Sequence, residues 1–159
     1  MLIKNLKSKF PKIKYVSIGS GKEEINLQKV IKKLKLENEV TFIKDVDSDL
    51  KMALISEANL FLMPTRIEKR SVEGFGISFM EAASCGVGSI GGEAGGASDA
   101  ILHNETGLIC DGNDLNSIYD SVIKFFQNKN FIRYGNNAKK FSEKFYWDKI
   151  VKNYLKLIN

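Results

Sequence analysis

At 159 residues with 43% apolar side chains, the chain has the size of one ordinary domain with its own core. Its 24 lysines and arginines outweigh 19 aspartates and glutamates and are spread along the chain, which favours anionic ligands or an acidic membrane surface and is too diffuse to argue for nucleic acid, so no nucleic-acid partner is expected. Cys85 and Cys110 lack metal-ligand spacing, His103 stands alone, and no apolar run reaches the ~18 residues of a membrane span, so reduced thiols in a cytoplasmic protein without a metal centre are expected.

Met1–Phe10 carries apolar residues at 2, 3, 6 and 10, the pattern of an amphipathic helix ended by Pro11. Ile13–Ile18 reads as a strand, followed at once by Gly19-Ser20-Gly21. That Gly-x-Gly lacks the third glycine of a dinucleotide fingerprint, since position 24 is Glu, and a plain tight turn explains it equally well. Glu23–Leu36 reads as a helix with apolar residues at 27, 30, 31 and 34. Val40–Ile43 is a strand, Ser48 or Asp49 caps a helix over Asp49–Ala58, and Leu60–Met63 is an apolar run stopped by Pro64, as in a strand buried on both faces. Thr65–Ser71 is a polar loop. Val87–Ile90 is a strand, Gly91–Gly96 a flexible loop, and Leu108–Cys110 a last strand. Helices over Asp114–Gln127, Phe131–Phe141 and Asp148–Ile158 close the chain, the first capped by Asp114 or Asn116. Strands alternating with helices imply a Rossmann-like parallel sheet flanked by helices on both faces, with ligands at the carboxyl ends of the strands.

The central stretch is Glu73-Gly74-Phe75-Gly76-Ile77-Ser78-Phe79-Met80-Glu81. A glycine-rich start to a helix leaves backbone N–H groups pointing outward, and the helix dipole adds about half a positive charge there, a seat for phosphate. With no Cβ, Gly76 is expected to admit a ligand closely, so that Gly76→Val weakens binding and leaves the fold largely intact. Glu81 has two readings: a solvated helix carboxylate, or one held among apolar neighbours by ligand hydroxyls.

From about Ile13 to Asn128 the chain resembles the carboxyl-terminal half of the group 1 retaining glycosyltransferases, built from two facing Rossmann-like domains in the GT-B architecture. The resemblance rests on E-x7-E at Glu73 to Glu81, with Phe75-Gly76 and Glu81-Ala82 inside it, and on the strand followed by Gly-x-Gly. It rests further on Val40-Thr41-Phe42, Met63-Pro64-Thr65, Gly95-Gly96-Ala97-Ser98-Asp99 and Thr106-Gly107-Leu108-Ile109.

The resemblance implies a role for each matching position. Glu73 is the catalytic-site carboxylate that holds donor-sugar hydroxyls, and Glu81 binds the ribose. Gly74, Phe75, Gly76 and Ile77 lie against sugar and diphosphate, Gly19 and Gly21 border the donor, Val46 meets the base through its main chain, and Lys51 stands beside it. The substrate is a nucleotide-diphosphate sugar, and no metal or other cofactor is implied. Lys44 replaces the family's glycine after the V-x-F strand, Asp99 replaces the commoner glutamate, and Gly88 stands where many relatives have proline or valine. The Arg and Lys that grip the diphosphate would precede residue 1, as would the amino-terminal acceptor domain. The expectation is therefore a single donor-binding domain over 1–159, inactive by itself, from a hexosyltransferase of polysaccharide or other glycan synthesis. Peripheral contact of the whole enzyme with the inner face of the plasma membrane is a further expectation. The alternative is a non-catalytic nucleotide or nucleotide-sugar binding module or remnant.

Overall fold

A computed structural model describes residues 1–66 and 74–158. The chain forms two compact units, Met1–Lys51 and Met52–Asn159.

The first unit holds α1 (Leu2–Lys7), β1 (Tyr15–Ile18), α2 (Glu24–Lys33) and β2 (Val40–Ile43), and leads into α3 (Ser48–Ser56). β1 and β2 pair in parallel from Tyr15↔Val40 to Ile18↔Ile43, the crossover being α2. β1 starts two residues later than the apolar pattern suggests, because a turn from Ile13 N to Phe10 O (2.9 Å) occupies the residues around Pro11. Leu6 and Leu36 are buried, and Lys7 pairs with Glu39 (2.6 Å) and Lys44 with Glu24 (2.8 Å). Burial pushes the Tyr15 phenol above its usual range. The expected apolar stripe of α2 is not a core face, since Leu27 and Val30 are exposed. α3 is capped by neither Ser48 nor Asp49: Asp47 Oδ1 accepts from Leu50 N at 2.8 Å, one position before Ser48 and two before Asp49.

In the second unit β3 (Phe61–Met63), β4 (Ser89–Gly92) and β5 (Gly107–Cys110) form a parallel sheet in the order β3-β4-β5. Around it run α4 (Ile77–Ser84), α5 (Ala97–Ala100), α6 (Leu115–Phe126), α7 (Asn130–Ser142) and α8 (Trp147–Ile158), with single 3-10 turns at Gln127–Lys129 and Glu143–Phe145. Two strand expectations change. β3 is an edge strand and only half-buried, whereas β4 is buried along its whole length. β4 also lies two residues beyond the expected Val87–Ile90, taking in Gly91 and Gly92. Those glycines are needed inside the strand: a Cβ on Gly91 would lie 2.8 Å from Ile101 Cδ1 and 3.1 Å from Phe79 Cζ. Phe79, Ala97, Ala100 and Ile101 form one core cluster, with Phe61 edge-on to Phe79 at 5.7 Å, and Ile55, Ala82 and Val87 form another. Asp114 is the cap of α6, its Oδ1 accepting from Asn116 N at 2.9 Å.

Candidate functional site

The site grows from the start of α4. Gly76, its first flanking residue, has φ +80° and ψ 56°, a left-handed conformation that strains any residue with a Cβ. A Cβ there would also lie 2.6 Å from Phe79 Cδ2. The expectation that Gly76→Val spares the fold is overturned: the backbone itself requires the glycine. No side chain caps α4 at Gly76, and Phe79 N turns back to Gly76 O at 2.9 Å. The N–H groups at the helix start thus face outward with the positive end of the dipole.

Other glycines bring backbone to this point. A Cβ on Gly96 would overlap the Gly74 carbonyl oxygen and lie 2.9 Å from Phe75 Cα, so the segment after β4 rests directly on the start of α4. A Cβ on Gly92 or on Gly112 would overlap the Thr65 carbonyl oxygen. Thr65 Oγ1 donates to Ala94 O at 3.0 Å, and Glu93 N to Cys110 O at 2.9 Å. Residues following β3, β4 and β5 therefore converge at the carboxyl ends of their strands, the place where parallel sheets bind ligands. Within this end, burial, then Asp111 and Glu93, push the Cys110 thiol up to about 11, and its Sγ points at Gly91 O at 3.4 Å. The thiol is a packing group, not a nucleophile.

On α4, Phe79, Ala82 and Ala83 are buried, which turns Ile77, Glu81 and Ser84 to the opposite face. Glu81 is half-buried there, one turn beyond the helix start, and Ile77 is 71% exposed. Phe75 packs against Phe145 with the rings tilted at 49° and centroids 5.5 Å apart, and Phe145 meets Phe141 at 5.3 Å. Phe145 is a site neighbour that the sequence reading missed. Only the aromatic run from Phe141 to Trp147 could have signalled it. Glu73, the expected catalytic carboxylate, lies outside the described residues.

Gly19, Gly21, Val46 and Lys51 belong to the first unit. Gly19 has φ +124°, and with Gly21 it borders a cleft of about 220 Å³ that includes Ser17, Glu23, Glu24 and Phe42. Glu23 and Glu24 line that cleft with no basic side chain among its lining, and both are engaged, Glu24 by Lys44 at 2.8 Å and Glu23 by the Asn26 amide at 3.0 Å. Val46 is half-buried between left-handed Asp45 (φ 51°) and the cap Asp47, and Lys51 is half-buried on α3.

Comparison with known proteins gives this geometry a family. Residues 1–144 match the family model described as glycosyl transferases group 1. A GDP-mannose-dependent alpha-(1-6)-phosphatidylinositol monomannoside mannosyltransferase of Mycobacterium tuberculosis is 37% identical over 111 residues, covering 69% of this chain and 29% of the relative. An N-acetyl-alpha-D-glucosaminyl L-malate synthase of Bacillus anthracis is 31% identical over 143 residues, covering 89% and 36%. Among solved structures, sucrose-phosphate synthase from Thermosynechococcus elongatus superposes with a TM-score of 0.80 at 20% identity, over 99% of this chain and 40% of its own. The chain thus spans about a third of the length of these curated relatives. Parallel strands flanked by helices, the fold of one Rossmann-like half of a GT-B glycosyltransferase, agree with the family match over most of the sequence, and the chain belongs to the group 1 glycosyltransferases.

Proposed function

We propose that the chain is the donor-binding, carboxyl-terminal half of a retaining glycosyltransferase that moves a hexose from a nucleotide-diphosphate sugar to a glycan, lipid or protein acceptor. The observation that carries this reading is the start of α4. Glycine backbone from Gly74 and Gly96 meets there, no side chain caps Gly76, and the helix dipole favours an anion. Negative charge on a departing diphosphate is met there by fixed main-chain N–H groups, without a metal. Glu81 takes the ribose hydroxyls and Glu73 those of the sugar. Val46 and Lys51 border the base, and Gly19 and Gly21 border the donor. Similarity to a GDP-mannose-dependent mannosyltransferase supports the substrate class, a sugar carried on a nucleotide.

Titration of the isotope-labelled chain with UDP, GDP and their sugars, followed by amide NMR, tests this reading. Saturable shifts concentrated at the amides of Gly76, Ile77, Ser78 and Gly96 are expected. Saturable binding that leaves those four amides unmoved would place the donor elsewhere.

A further inference from the structure

We propose that Phe145 is a positioning residue for the donor seat: through Phe75 it holds the main chain at the start of α4, where, on the proposed reading of function, the diphosphate is met. The two ring centroids lie 5.5 Å apart with the planes at 49°, within the range in which aromatic pairs attract. Phe145 is itself held in place. Phe141 meets it edge-on at 5.3 Å, and Lys144 Nζ sits 5.2 Å from the centre of the Phe141 ring. Phe141 and Phe145 are half-buried, whereas Phe75 remains 40% exposed, so the contact fixes Phe75 without enclosing it.

A ring so distant in sequence reaches this turn because α7 packs antiparallel on α4. Beyond the last turn of α4 a Cβ on Gly135 would overlap the Gly86 carbonyl oxygen, and before its first turn Phe75 meets Phe145. α7 and the Glu143–Phe145 turn thus grip α4 at both ends, the far end by main chain and the donor end by a ring. At the donor end Gly96 meets the Gly74 carbonyl and Phe75 Cα with backbone, and Gly76 is left-handed with no capping side chain. Glycines give clearance but little rigidity, since their backbone is free over more conformations than that of any other residue. The side chain that can fix this turn is the one between the two glycines, Phe75, and it packs on Phe145. Main-chain N–H groups stabilise charge best when they need not reorganise. A loosened turn would hold the binding geometry only part of the time and lower the affinity in proportion.

Nucleotide titration and amide exchange of single and double variants test this. Phe145→Leu should weaken UDP or GDP by roughly three- to tenfold, since the loss cannot exceed what one aromatic pair contributes to holding the bound geometry. Amide exchange at Phe79, whose N–H closes the first turn on Gly76 O, should quicken in that variant without ligand. Phe145→Tyr keeps the ring and should restore both. Phe131→Leu breaks a pair of almost the same geometry, Phe126 with Phe131 at 5.5 Å and 48°, beside Cys85 and Gly86 at the far end of α4. It should cost stability and leave both readouts unmoved. In a Phe75→Leu background, Phe145→Leu should add no further loss of affinity. Equal nucleotide affinity of Phe145→Leu and the unaltered chain would overturn the proposal, as would a full further loss in the Phe75→Leu background. Failure of the unaltered chain to bind either nucleotide would refute the donor reading instead, and exchange at Phe79 would still decide whether Phe145 holds this turn.

Discussion

Glu81 and Glu73 allow the proposed division of labour to be read one carboxylate at a time. A hydrogen bond to a charged group contributes roughly 1.5–3 kcal/mol, or about ten- to a hundredfold in affinity. Glu81→Gln should weaken a bare nucleoside diphosphate and its sugar by similar factors, and Glu73→Gln only the sugar. Calorimetry of both variants with both ligands decides it: equal losses on the bare nucleotide would refute the split. Gly96→Ala should be severe for a side chain of one carbon, because that carbon meets the Gly74 carbonyl. A stability loss of about 1–3 kcal/mol together with weakened nucleotide binding is expected in denaturation and titration. Cys110 makes a third residue-level prediction. Its thiol is raised from 9.0 to about 11 in the folded chain. The unfolded chain therefore loses that proton first, and the contribution to stability is intact below pH 9 and is lost as the pH rises to about 11. Denaturant midpoints should fall over that window more in the wild type than in Cys110→Ala. At this scale the glycine-led start of α4 was legible, because glycines before an apolar helical run are a local signal. Phe145 was not, since its meeting with Phe75 depends on a tertiary path across 70 positions.

At the scale of elements, the helices were easier to read than the strands. Three-and-a-half turns of apolar spacing announce α6 and α7, and the Asp114 cap was one of two candidates. α3 shows how a neighbouring polar residue misleads. Asp47, Ser48 and Asp49 all fit a cap by type, and only the backbone geometry selects Asp47. Asp47→Ala should cost about 1 kcal/mol, and Ser48→Ala less than about 0.5 kcal/mol, in parallel chemical denaturation. Equal losses would mean that the cap is shared. β4 was misplaced for a different reason. Gly91 and Gly92 look like loop residues by propensity, yet tight packing of Phe79, Ala97, Ile101 and the Thr65 backbone permits nothing larger. Tertiary crowding overrode local preference.

For the molecule as a whole, the family was legible because its motifs are spread in order along most of the chain, and the match over residues 1–144 agrees. The division into Met1–Lys51 and Met52–Asn159 was not legible, since no change of composition marks it. Spanning about a third of the relatives it matches, the 159-residue chain is expected to bind nucleotide and transfer no sugar, because transfer needs donor and acceptor held together. Robust release of nucleoside diphosphate that depends on an added acceptor would contradict this. The glycine contacts around Gly74, Gly92, Gly96 and Gly112 carry a consequence for variation. Main chain touching main chain offers no side chain for selection to adjust by degrees. Substitution at Gly92, Gly96 and Gly112 is close to all or none, because any side chain there must displace main chain. On the proposed reading, preference for one sugar or base over another is then expected to be adjustable at neighbouring positions with room to vary, such as exposed Ile77.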